Sequence, residues 1–221
     1  EFTANVSHEL KTPLQSIIGS AELLENGLVK PEDQLRFLSR IHQEADRLVA
    51  LINDILRLSQ LDEGGALPHE QVSVLELAQE AARSLTAQAA AKAVHISVTG
   101  TAGTVFGVRR LLYEIARNLC ENAVKYNVPG GSVTVEVAET DRDVTLLVRD
   151  TGIGIPEGDQ SRVFERFYRV DKSHSRAIGG TGLGLSIVKH AVAYHHGTLR
   201  LESQPGKGTV ITVTLPKKPT E

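Results

Sequence analysis

The 221-residue sequence predicts an α+β chain in two parts: an N-terminal helical hairpin that forms a dimeric four-helix bundle, then an α/β two-layer sandwich. Three observations carry this reading. Leu38, Ile41, Ala45, Leu48, Ile52 and Ile55 alternate spacings of three and four, the apolar seam of a long helix. Residues 63–70, Glu-Gly-Gly-Ala-Leu-Pro-His-Glu, then break the period with glycine and proline. Beyond them, helical stretches are interleaved with short β-branched runs of period two.

Upstream of that seam, Val6, Leu10, Pro13, Ile17 and Leu24 trace a comparable stripe. Asn26-Gly27 and Pro31-Glu32-Asp33 between the two supply helix stop and start signals, so the hairpin spans about residues 2–62. A lone hairpin cannot cover two apolar seams, and a second copy of the chain is the natural partner. The alternative is an intramolecular coiled coil packed on the rest of the chain. In the second part, helices are expected at about 73–91, 107–126 and 182–196. Strands are expected at about 94–99, 131–138, 143–149, 198–203 and 208–215. Residues 157–178 lack regular periodicity and are long for a connection, the mark of a functional lid or of disorder. This segment carries Arg162, Arg166, Arg169, Lys172 and Arg176. The expected boundaries are 1–63 for the hairpin, 64–70 for a linker and 71–217 for the sandwich.

Composition narrows the function classes. A hydrophobic content of 41% supports a real core, and an aromatic content of 4% makes its packing aliphatic. The net charge of −3, with no long basic tract, argues against nucleic acid as a partner. The single Cys120 excludes an internal disulfide and suits a reducing compartment. No run approaches the roughly 18 apolar residues of a membrane span, and no signal peptide is visible. The absence of methionine and an opening in mid-helix at Glu1-Phe2 point to a piece of something longer.

Chemistry-bearing residues cluster in two regions. Ser7-His8-Glu9-Leu10-Lys11-Thr12-Pro13 sets an imidazole beside a carboxylate on a helix. His8 lies roughly 200° around the helix from both Val6 and Leu10, facing solvent. Glu9 is suited to hold one imidazole nitrogen and to stabilise the charge that develops if the other nitrogen attacks an electrophile. Thr12 stands one turn further along the same face. Pro13 cannot donate to the Glu9 carbonyl, so the helix should bend or bulge there. An exposed surface histidine beside a glutamate is the plainer alternative.

Glu114, Asn118, Asn122 and Lys125 share roughly 80° of one helical face, bordering the apolar Leu112, Ile115, Leu119 and Ala123. Asn122 offers an amide oxygen acceptable to Mg²⁺ when triphosphate oxygens and water complete the octahedron. Lys125 can meet phosphate as a point charge. An ordinary amphipathic helix with exposed amides would look the same. Asp150 ends a β-branched run and can accept a hydrogen bond from the exocyclic amine of adenine, where guanine would present a carbonyl. Gly152 and Gly154 let backbone approach a base, or simply make a tight turn. Gly180-Thr181-Gly182-Leu183-Gly184 runs into a helix, leaving amides aimed at anions. It is neither a Walker A loop nor a dinucleotide fingerprint, since neither the Gly-Lys-Ser/Thr ending nor the preceding strand is present.

The segment Phe2–Leu14 resembles the H-box of sensor histidine kinases of two-component systems. Asn118–Tyr126 resembles the N-box of their ATP-binding domain, shared with DNA gyrase-type ATPases and a heat-shock chaperone. Asp150–Pro156 is similar to the first glycine box, Phe164–Arg169 to the F-box and Gly180–Gly184 to the second glycine box. The motifs match in kind, order and spacing over nearly the whole chain, with most similarity to phosphate-responsive sensors. The resemblance implies ATP with Mg²⁺ as the nucleotide, bound by Asn118, Asn122, Lys125, Tyr126, Asp150 and the glycine boxes. It implies that His8 carries the phosphoryl group, that Glu9 assists and that Thr12 positions water for dephosphorylating the partner. Arg169 would reach the phosphate end. The implied partners are a second copy of the chain and a response regulator receiver domain, in the cytoplasmic portion of a membrane-bound sensor. A dimeric ATP-binding scaffold without kinase chemistry is the competing reading.

Overall fold

Helix α1 (Phe2–Glu25) and helix α2 (Gln34–Asp62) form the antiparallel hairpin. In this computed structural model the described residues are 2–62, 67–170 and 180–218. The turn follows from local chemistry. Gly27 takes a left-handed φ of +66°, and Leu28 and Gly27 donate to the carbonyls of Leu23 and Leu24 at 3.0 and 3.1 Å. That reciprocal pair is a Schellman stop, which favours glycine. Pro31 opens a short 3₁₀ turn, Pro31–Asp33, that leads into α2.

Helix α1 runs through Pro13 as one continuous helix. Pro13 is buried, and the Thr12 hydroxyl donates to the His8 carbonyl at 3.2 Å, occupying an acceptor in the turn that proline disturbs. Val6, Leu10, Ile17 and Leu24 are half-buried inside the hairpin, as their stripe requires. Leu38 and Ile52 of the second seam remain exposed, as do Leu14 and Ile18 of α1 and Val49 and Leu56 of α2, so apolar surface on both helices is uncovered in a single chain.

The second part is a five-stranded mixed sheet under a layer of helices. Its strands are β2 (His95–Gly100), β4 (Ser132–Glu139), β5 (Asp143–Asp150), β6 (Thr198–Gln204) and β7 (Gly208–Pro216). The order is β2-β4-β5-β7-β6, with only β2–β4 parallel. Helices α3 (Val74–Ser84), α5 (Arg109–Lys125) and α7 (Gly184–Tyr194) pack together and onto the sheet. Two shorter helices, α4 (Thr86–Ala91) and α6 (Glu157–Gln160), lie in connections. Alternate residues of the strands face the helices: Val133, Val135 and Val137, then Val144, Leu146 and Val148, then Val213 and Leu215 are all buried. They meet Leu112, Ile115, Leu119 and Cys120 of α5, an almost wholly aliphatic core.

Sequence periodicity did not reveal β1 (Glu70–Ser73) or β3 (Thr104–Gly107), which pair with each other as a two-stranded sheet. Each is four residues long, too short to display a period. β1 begins at Glu70, at the end of the expected linker, and residues 63–66 of that linker lie outside the described residues.

Candidate active site

A cavity of about 740 Å³ lies between α2, α5 and the loops that follow β5 and precede α7. Asn118, Asn122, Lys125 and Tyr126 line it from α5 and its C-cap, Asp150 and Gly154 from the end of β5 and its loop. Arg169, Gly180, Thr181, Gly182 and Gly184 close the remaining side. Eleven of the residues singled out by sequence thus converge on one space, though they come from segments far apart in the chain.

Each polar group is held by its own element. The Asn118 amide donates to the Glu114 carbonyl at 2.9 Å and to its carboxylate at 3.3 Å. Glu114, itself buried, pairs with Arg57 of α2 at 3.3 Å. Asp150 accepts from the amides of Gly152 (2.8 Å) and Thr209 (3.3 Å), both on Oδ1. Burial raises its carboxyl above the usual carboxylate range, and the two amides oppose that rise. Lys125 is buried against the Tyr126 ring, 5.5 Å from its centroid. Loss of hydration brings its ammonium down to about 8 despite the opposing Glu121, with Arg169, Arg47 and Lys92 adding to the fall.

The start of α7 is built to receive an anion. Its N-cap residue, Leu183, offers no side-chain bond to the first-turn amides, and Gly184 and Leu185 face the cavity. Gly182 takes a left-handed φ of +73° and accepts from the Phe167 amide at 2.9 Å, tying the glycine loop to the F-box-like segment. A Cβ at Gly184 would stand 2.8 Å from the Asn118 amide oxygen and would push that side chain aside.

Not every expected residue sits at the cavity wall. Leu183 is fully buried in a second apolar cluster with Leu51, Leu58 and Ile187, flanked by Leu10, Ile55 and Phe167. Its side chain therefore docks the sandwich onto the hairpin. Thr181 lines the cavity but donates its hydroxyl to Asp54 of α2 at 2.7 Å. Gly152 supports Asp150 from behind and is not part of the lining. His8 is exposed on α1, with Thr12 bonded to its carbonyl, and neither lines the cavity. Glu9 makes the link: its carboxylate lies 3.7 Å from Arg47 of α2 and 3.6 Å from Arg169 of the lid segment. Arg169 also donates to the Gly180 carbonyl. Arg166 contacts His190 at 3.1 Å and the Arg162 guanidinium lies over the Tyr168 ring, whereas Lys172 and Arg176 lie outside the described residues.

Residues 1–64 match the His Kinase A (phospho-acceptor) domain, and residues 107–219 match the histidine kinase-, DNA gyrase B-, and HSP90-like ATPase family. The chain belongs to the sensor histidine kinase family. The sensor-like histidine kinase SenX3 of Mycolicibacterium smegmatis is 42% identical over 99% of this chain and 58% of its own length. The sensor histidine kinase WalK of Bacillus subtilis is 36% identical over 99% of the chain and 36% of its own length. The chain thus spans little more than half of the SenX3 relatives it matches. Among solved structures, full-length ShkA in complex with AMPPNP aligns with 96% of this chain and 45% of its own at a TM-score of 0.71 and 28% identity. The histidine kinase ThkA in complex with the response regulator TrrA shares the fold, at a TM-score of 0.79, over 99% of this chain and 62% of its own with 23% identity.

In this histidine kinase chain, sequence reasoning missed one whole wall of the cavity. Arg47, Ala50, Asp54 and Arg57 of α2 line it, spaced three and four residues apart along one helical face. That polar stripe beside the apolar seam was the available signal.

Proposed function

We propose that the chain transfers the γ-phosphoryl group of ATP to His8 and passes it to an aspartate of a response regulator receiver domain, with phosphatase activity toward that partner. The observation that carries the reading is the bridge from Glu9 to Arg169 and Arg47, which joins the phosphoacceptor turn to the wall of the nucleotide cavity.

The geometry supports a role for each group. Asp150 keeps Oδ2 without a hydrogen-bond partner among the described residues, available to the adenine amine. Asn118 and Tyr126 flank the nucleotide, while Gly154 shapes the floor beneath the base and Gly152 holds Asp150 from behind. Lys125, the amides from Gly180 to Gly184 and Arg169 surround the phosphates, with Thr181 and Leu183 fixing the loop that carries those amides. Phosphoryl transfer is mostly positioning and charge neutralisation, which these groups supply. His8 attacks with one ring nitrogen while Glu9 stabilises the positive charge that builds on the other. Thr12 orients water for dephosphorylation of the regulator.

Among the described residues no cluster of His, Cys, Asp and Glu could hold a metal alone. Asn122, whose amide faces the cavity, would therefore contribute one oxygen to Mg²⁺ that enters with the triphosphate, and the ion would neutralise phosphate charge there. We assign residues 1–63 to dimerisation and phosphoacceptance, 64–70 to the linker and 71–217 to ATP binding. The exposed apolar residues of α1 and α2 support a homodimer through a four-helix bundle. The response regulator as partner rests on the family and on the ThkA–TrrA complex. No helix of the described residues is long and apolar enough to cross a membrane, and the named relatives are longer sensor proteins. We accordingly place the chain in the cytoplasm, as the signalling portion of a membrane-bound sensor.

Incubation with γ-labelled ATP and Mg²⁺ should give an acid-labile label on the parent chain and none on His8→Gln. An unlabelled parent chain that still binds the nucleotide would favour a scaffold instead.

A further inference from the structure

We infer that Arg47, on the hairpin helix α2, is a positioning residue for phosphoryl transfer, holding Glu9 beside His8 and presenting a guanidinium to the terminal phosphate from the hairpin side of the cavity. The inference rests on the kinase reading above and adds to it a residue of the phosphoacceptor part.

Four observations place Arg47 there. Its side chain is 16% exposed and lines the same cavity as Asn122 and Lys125. Two carboxylates hold its two terminal nitrogens, Glu9 at 3.7 Å from Nη2 and Glu44 at 3.8 Å from Nη1. Arg169 lies 3.6 Å from the same Oε2 of Glu9, so one carboxylate oxygen gathers cations from α2 and from the lid segment. The docked arrangement is itself fixed further along α2, where Thr181 bonds Asp54 and Arg57 bonds Glu114 of α5.

The lengths of these contacts matter. At 3.7 and 3.8 Å the pairs are ionic rather than saturated hydrogen bonds, and a guanidinium carries five N–H donors in a planar fork. Arg47 therefore retains donors for a phosphate oxygen while remaining oriented. Its field already acts at the phosphate end, because it contributes to the lowering of the Lys125 ammonium. During transfer, the bond from the His8 nitrogen to the γ-phosphorus forms as the bond to the β–γ bridging oxygen breaks. The leaving ADP keeps that electron pair, and the proton of the other ring nitrogen passes to Glu9. Arg47 is placed to serve both sides of this exchange, since it contacts Glu9, the acceptor of the proton, and lines the cavity proposed to hold the group in flight. A structural tie between α1 and α2 would hold the hairpin together without affecting the rate of transfer in assembled protein.

The test uses the full 221-residue chain as wild type, Arg47→Gln, Arg47→Lys and His8→Gln. Initial rates of His8 labelling are measured against ATP concentration, beside thermal melts. Arg47→Gln should lower kcat by about tenfold or more while KM for ATP moves by less than about threefold, and Arg47→Lys should recover part of the loss. Should Arg47→Gln melt early, Arg47→Lys carries the test, since it keeps the charge and loses the planar fork. A folded Arg47→Gln with kcat within about twofold of wild type would overturn the inference, as would a loss confined to KM. An unlabelled wild type would instead overturn the kinase reading, and that outcome is read from the wild-type arm alone.

Discussion

Lys125 is the residue whose chemistry is most exposed to measurement. Burial has brought its ammonium down to about 8, so the nucleotide-free chain loses this proton as pH rises through that value. Bound phosphates favour the charged form and hold the proton on. Nucleotide binding at about one pH unit above that value should therefore take up close to one proton, and ATP affinity should fall as pH rises further. Calorimetric titration in buffers of different ionisation heat measures the uptake directly; binding without proton uptake would remove Lys125 from the phosphates. Asn118, Asn122 and Lys125 were legible because helical spacing puts them on one face beside the buried one. Arg47 was not, since its partner Glu9 is 38 positions away and only the hairpin brings them together.

At the scale of the element, the N-box-like helix α5 starts without a side-chain cap of its own. His195, at the end of α7, supplies one. Its Nε2 accepts from the Val108 amide at 3.0 Å, and its Nδ1 donates to the Ala191 carbonyl at 2.7 Å. This requires the neutral ring, and burial lowers its pKa below the ordinary 6.5, with the nearby His69 and His196 pushing the same way. The depressed value means the unfolded chain takes the proton first. The cap is therefore intact above about 6.5, and its contribution is lost progressively as pH falls below that value. His195→Gln should cost about 1 kcal/mol at neutral pH, and the gap in melting temperature between wild type and variant should narrow on acidification. A pH-independent gap would count against the cap. The five sheet strands were legible from alternation, and the long helices from their stripes. The cap was not, because donor and acceptor lie 87 residues apart and neither sits in a local motif.

The two-part organisation of the whole molecule was written in the change of period near residue 63, but the docking of the parts was not. Leu183 reads as one more residue of a glycine loop, yet it fills a cluster with Leu51 and Leu58 of α2. The complementary feature is the face left open: Leu14, Ile18, Ile52 and Leu56 are exposed on the hairpin. Light scattering should give twice the chain mass for wild type. Ile18→Asp combined with Ile52→Asp should shift it to the monomer, with ATP affinity preserved because neither residue lines the cavity. A monomeric wild type would leave that face without the partner proposed for it.

The hydroxyl of Thr181 spends its hydrogen bond on Asp54, across the joint between hairpin and sandwich. The glycine loop beside the cavity is thus leashed to a helix running the length of the hairpin. A rotation of that helix is therefore handed directly to the cavity wall, through the Thr181 hydroxyl and through Leu183 packed on Leu51 and Leu58.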